Sequence, residues 1–143
     1  MASDVQSRPS MSNVKIHIAT LVVLASVVGC GSGEPLRVTT LQLGRSLNAD
    51  STVAAFTTRF APRDTVYFSV VTAGAGSGTI RVRWTYYGHV VDEPTRKVSY
   101  QDVAATEFHL KTAGPLPPGD YSVEAFLDDK SAGTRPFHVV KPD

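Results

Sequence analysis

The chain has 143 residues, with 14 Lys and Arg against 13 Asp and Glu and a formal net charge of +1. That balance provides no basic stripe for nucleic acid, and the length suits one domain and is too short for two comfortable cores. A single Cys rules out an intrachain disulfide, and the only two Met, Met1 and Met11, give no thioether set for copper(I).

Residues 18–28 form an apolar run, preceded by Lys15 and His17 and closed by the small residue Gly29. Charged, apolar, then small is the order of a secretory signal peptide. The run falls short of the roughly 20 apolar residues that a membrane-crossing helix needs. Met11 offers an alternative start, because 11–17 is the short basic segment that opens such leaders, whereas 1–10 contains Asp4.

Val27-Val28-Gly29-Cys30 resembles the lipobox of bacterial lipoproteins. The resemblance implies cleavage between Gly29 and Cys30, diacylglycerol on the Cys30 sulfur as a thioether, and a further acyl chain such as palmitate on the new amino terminus. Several acyl chains, at ~0.8 kcal/mol per buried CH₂, anchor a protein stably where one does not. Gly31, in place of an Asp, favours the outer membrane by the same resemblance and leaves the side of the membrane open. The expected organisation is therefore a leader over 1–29, the lipidated Cys30 with a short linker over 30–35, and one domain over 36–143. From Cys30 onward the chain carries 12 basic and 12 acidic residues, so nothing draws it to anionic headgroups.

Beyond the linker, short segments alternate apolar with polar residues and are separated by Gly, Pro and Asp clusters, the pattern of half-buried antiparallel strands. Strands are expected over 37–43, 52–58, 65–72, 79–87, 97–100, 106–111, 120–127 and 135–140. The clearest has Ile80, Val82, Trp84 and Tyr86 on one face, with Arg81, Arg83, Thr85 and Tyr87 on the other. The first face belongs to the core, with Trp84 at its centre. Val66, Phe68 and Val70, then Phe108 and Leu110, then Phe137 and Val139 repeat the pattern. Pro117-Pro118-Gly119-Asp120-Tyr121 reads as a turn followed by a Tyr whose hydroxyl bonds back upstream, and Asp128-Asp129-Lys130 reads as a hairpin.

Taken together, residues 60–67, the Trp84 strand, the Tyr121 corner and 137–140 resemble the immunoglobulin-like domains of bacterial envelope lipoproteins. The resemblance implies an all-β, immunoglobulin-like or fibronectin-like antiparallel sandwich of seven or eight strands. It implies no shared activity, so function must come from a site.

Few side-chain constellations compete for that site. Gly74-Ala75-Gly76-Ser77-Gly78 lies between strands and lacks the following helix of a phosphate loop, so it reads as a flexible inter-strand loop. His89, His109 and His138, with Asp92, Glu93 and Glu107, lack the close paired spacing of zinc ligands. Asp92-Glu93 and Asp128-Asp129 are neighbours in turns, whereas acid–base pairs face each other across a substrate. One surface stands out. If the Trp84 strand pairs with the Tyr121 strand, Arg81, Arg83 and Tyr87 share an outer face with Glu124, Phe126 and Asp128. Cross-strand ion pairing would explain that face, and so would a binding surface, since aromatic groups set among Arg are enriched at interfaces.

The sequence thus leads to the expectation of a non-enzymatic, lipid-anchored envelope protein without cofactor or metal. It would bind membrane lipid through Cys30 and an envelope protein or glycan through its sandwich. A structural accessory subunit of an envelope complex is the alternative, followed by a metal-binding or hydrolytic periplasmic protein built on the histidines.

Overall fold

The computed structural model describes residues 33–143, and Gly29 and Cys30 lie outside the described residues. The elements are β1 (Arg37–Gly44), β2 (Arg59–Phe60), β3 (Val66–Ala73), β4 (Gly76–Tyr86), β5 (His89–Asp92), β6 (Thr95–Tyr100), β7 (Ala104–Leu110), β8 (Gly119–Leu127) and β9 (Lys130–Val139). One sheet has the order β1-β3-β7. The other has the order β2-β9-β8-β4-β5, with β6 also paired to β4. All pairings between these strands are antiparallel except the two-residue contact of β2 with β9. The chain is all-β among the described residues, and its two sheets enclose one core.

Alternation decides which side chains enter that core. Val66, Phe68 and Val70 of β3 and Ile80, Val82 and Trp84 of β4 are fully buried. Trp84 makes edge contacts with Phe68 and Phe137, each with ring centroids 6.0 Å apart. Such edge-to-face pairs add to the apolar area they bury. The Trp84 Nε1 donor is buried without a partner, so this side chain stays for its volume and not for a hydrogen bond.

The turns also follow from their residues. Asp128 and Asp129 both have positive φ, 49° and 66°, as a two-residue type I′ hairpin requires. Asp128 Oδ1 accepts a 2.9 Å bond from the Thr79 amide, which fixes the hairpin tip to β4. Tyr87 and Gly88, with φ of 45° and 79°, form a second such turn between β4 and β5.

Four expectations are corrected. Residues 52–58 form no strand; only isolated bridges from Val53 and Phe56 remain. Asp50 accepts bonds from the Thr52 amide and hydroxyl, at 3.0 and 2.5 Å, and Ser51 is left-handed with φ 69°, so the chain turns there instead of extending. Gly76-Ser77-Gly78 is not a loop but the start of β4, paired with Tyr100, Ser99 and Val98. A Cβ on Gly78 would come within 2.9 Å of Leu127 Cδ1, so glycine permits the close approach. Finally, β5 lies between two expected strands where none was expected, and β6 begins two residues earlier than expected.

The sandwich has two distinct ends. At the near end the Ala75 amide donates 2.9 Å to the Glu34 carbonyl and Pro35 bridges Ala75, so these linker residues already belong to the domain. β3 and β4 meet at this end. At the far end, Val66 faces Leu110 and Tyr86 faces both Tyr121 and His89.

Candidate functional site

The register of β4 on β8 places Arg81 beside Phe126 and Arg83 beside Glu124. Both guanidinium groups lie over the Phe126 ring, 4.0 and 5.0 Å from its centroid. Glu93 Oε1 accepts from Arg81 Nη1 at 2.5 Å and from Arg83 Nη2 at 3.3 Å. Asp129 Oδ1 lies 3.4 Å from Arg81, and Glu124 Oε1 lies 4.0 Å from Arg83. The Arg81 hydrogen bond, aided by Arg83, holds the Glu93 carboxyl below the usual carboxylate range against the opposing effect of desolvation.

This outer face is closed on itself. Phe126, expected as an exposed apolar group, is only 8% exposed because the two arginines cover it. Tyr87 and Asp128 are not part of the cluster. The type I′ turn carries Tyr87 to the far end, where its ring lies against Gly119 and 4.7 Å from the Tyr86 ring. Asp128 caps the opposite end of the strand. Glu93 supplies the carboxylate, although sequence reasoning had weighed it only as a metal helper and in the Asp92-Glu93 acid–base pair.

The histidines are dispersed. His109 Nδ1 pairs with Glu107 on β7, His138 Nδ1 lies 2.8 Å from Asp120 Oδ1, and His89 stands exposed on β5. Among the described residues no group of three or more His, Cys, Asp or Glu side chains is placed to hold a metal ion.

The far end differs in kind. A cavity of about 210 Å³ is lined by Tyr86, Val91, Leu110, Thr112, Leu116, Pro117 and Tyr121. Two tyrosines frame it. The Tyr121 hydroxyl donates 2.7 Å to the Pro117 carbonyl and the Tyr86 hydroxyl donates 2.9 Å to the Pro118 carbonyl, with the rings 4.6 Å apart. Burial, followed by the neighbouring Tyr86 and Tyr87 phenols, pushes the Tyr121 pKa up to about 12. With both hydroxyl protons engaged by backbone, the cavity is an apolar hollow.

Val91 lines this hollow, whereas Val90 stands opposite Thr85 and Tyr87 lies in the adjoining turn. Tyr87, Val90 and Val91 are 60%, 54% and 50% exposed. The β4–β5 register shifts between Trp84 and Thr85, leaving Val91 as the bulged residue. Bulges re-aim side chains, and Val91 lines the cavity. A second hollow of about 140 Å³ shares Thr112 and Leu116 and is lined by Arg63 and Lys111. Among the described residues neither Arg63 nor Lys111 belongs to an ion pair. Sequence reasoning missed this end because its residues come from four separate segments. The only local signal was the adjacent exposed pair Val90-Val91 after a Tyr-Gly turn.

No family model and no curated protein matches the chain. Solved structures do resemble it. An immunoglobulin-like protein from Pseudomonas aeruginosa is 11% identical, with 76% of this chain and 99% of that one covered and a TM-score of 0.51. A β-glucosidase from Listeria innocua, crystallised with isofagomine, is 14% identical over 76% of this chain at a TM-score of 0.51. The chain spans 16% of the length of that β-glucosidase. At these identities the likeness is one of fold. The architecture is that of an immunoglobulin-like β-sandwich, as the Trp84 strand and the Tyr121 corner indicated.

Proposed function

We propose that this protein is a non-enzymatic, lipid-anchored module of the bacterial cell envelope, held by acylated Cys30, that binds an envelope protein or glycan through the far end of its sandwich. The observation that carries this reading is the half-exposed Val91 in the lining of the far-end cavity, with Tyr87 and Val90 exposed on the adjoining turn and strand, opposite the end where Gly33 and Glu34 enter the domain. Exposed apolar patches rimmed by polar residues mark interaction sites. Gly33 is three residue steps beyond Cys30, a reach of about 11 Å at most. An anchor at Cys30 would therefore hold the near end at the bilayer and turn the far end outward, with the outer membrane favoured. The outer face of Arg81, Arg83 and Phe126 serves in this reading as a structural clamp.

The anchor is tested by feeding cells an alkyne-bearing palmitate and comparing the full chain with Cys30→Ala. Label on the wild type alone, with the variant released from the membrane fraction, is the expected result. Equal membrane retention of the unlabelled variant would overturn the lipid anchor.

A further inference from the structure

The far-end cavity lies in a gap in the side of the sandwich. On that side β4 is flanked by β6 along Gly76 to Arg81 and by β5 along Trp84 to Tyr86. Near the first half, β6 reaches across to the other sheet: Arg96 Nη1 donates 2.8 Å to the Glu107 carbonyl, and the Tyr100 hydroxyl lies 2.8 Å from Thr106 Oγ1. Near the second half no such bridge occurs among the described residues. Among the described residues β5 pairs only with β4, and β7 pairs only with β3. The cavity sits between Val91 on β5 and Leu110 on β7.

Both banks of the gap are therefore strand edges. In an antiparallel strand the N–H and C=O of one residue point to the same side, and residues two apart share that side. Because the Glu107 carbonyl points outward to Arg96, the N–H and C=O of His109 point outward too, next to the cavity. β7 carries no Pro or Lys, so its edge is the open bank, whereas β5 is only four residues long and bulged at Val91.

From this we infer that the gap receives an extended segment of another protein by strand addition, with one large apolar side chain in the cavity and an acidic residue beside it. The unpaired strand edges select a peptide, because main-chain bonds supply the affinity in this mode and side-chain pockets supply the specificity. The size agrees: about 210 Å³ holds one large side chain, whereas drug-sized ligands occupy clefts of roughly 300–1,000 Å³. Charge sets the flank. Lys111, directly after Leu110, and Arg63 line the adjoining hollow with Asp64, which Arg45 pairs; among the described residues neither cation lies in an ion pair, so an acidic neighbour of the apolar anchor is favoured. This inference rests on the far end being the binding end, but not on the lipid anchor.

The test takes the full chain in detergent and selects binders from a phage-displayed library of random 12-residue peptides. The expected peptides share an apolar residue next to Asp or Glu, bind more weakly in added salt, and slow hydrogen exchange at β5 and His109. Val91→Arg should weaken them at least tenfold and Lys111→Glu at least threefold, while Arg83→Gln leaves them unchanged. Failure to enrich any peptide, or full binding by both Val91→Arg and Lys111→Glu, would overturn the proposal. Self-association that depends on Val91, without peptide binding, would overturn it in favour of a second copy. Loss of peptide binding with Cys30 still labelled counts against this inference alone. An unlabelled Cys30 with peptide binding intact counts against the envelope reading alone.

Discussion

The outer face around Phe126 and the far end around Val91 have similar compositions, each with an aromatic or apolar group near two cations, but their physical states are opposite. At Phe126 both guanidinium groups stack on the ring and are paired with Glu93, Glu124 and Asp129, leaving the buried Arg83 Nε as a donor without a partner. At Val91 the apolar groups are exposed, the tyrosine hydroxyl protons are held by backbone carbonyls, and Arg63 and Lys111 lie in no ion pair among the described residues. Composition alone therefore does not define a binding surface. What matters is whether the groups have already satisfied one another.

The largest expected effect comes from breaking the closed face. Phe126→Ala removes the ring beneath both arginines and should cost about 3 kcal/mol of stability, read by denaturant unfolding, with no change in peptide binding. A binding defect without a stability defect would reverse the roles assigned to the two regions.

Next comes the far end under alkali. Because the folded pKa of Tyr121 is raised to about 12 from 10.0, the folded state disfavours the phenolate. Its contribution is intact below pH 10 and is lost as pH rises from 10 through 12. A shift of this size corresponds to about 2 to 3 kcal/mol. Tyr121→Phe should abolish that alkaline loss, while costing about 1 kcal/mol at neutral pH for the bond to Pro117.

A smaller effect is expected in acid. Glu93 titrates below its ordinary value, so its stabilisation of the Arg81 and Arg83 clamp is present above about pH 4.5 and is lost as pH falls through the folded pKa. Wild type and Glu93→Gln should differ in stability at neutral pH and converge in strong acid. A constant difference across that range would show that the carboxylate does not hold the clamp.

The two regions also differ in how legible they were. The alternation of Ile80, Val82 and Trp84 fixed which face of β4 is buried, and the Pro117 to Tyr121 run indicated a corner that the Tyr121 hydroxyl closes. The pairing of Arg81 with Phe126 followed from placing β4 beside β8. Exposure of Phe126 did not follow, because alternation assigns a side chain to a face but says nothing of what covers it. Alternation also misled at 52–58, where the Asp50 carboxylate competes with strand geometry through local hydrogen bonds. The far-end cavity was not legible, since Tyr86, Val91, Leu110, Leu116 and Tyr121 meet only once the sheets are stacked and a bulge has turned Val91. Gly78 read as part of a loop because its reason, the approach of Leu127, is a tertiary one.

The central claim is that the far end, and not the outer face, meets a partner at the envelope. It is tested most directly by a photo-crosslinking amino acid placed at Val91 or at Arg83 of the full chain in living cells, with Cys30 intact or replaced by Ala. The account predicts a discrete envelope-protein adduct from position 91, none from position 83, and loss of the adduct without Cys30. Adducts from position 83 alone, or an adduct from position 91 that survives Cys30→Ala unchanged, would contradict it.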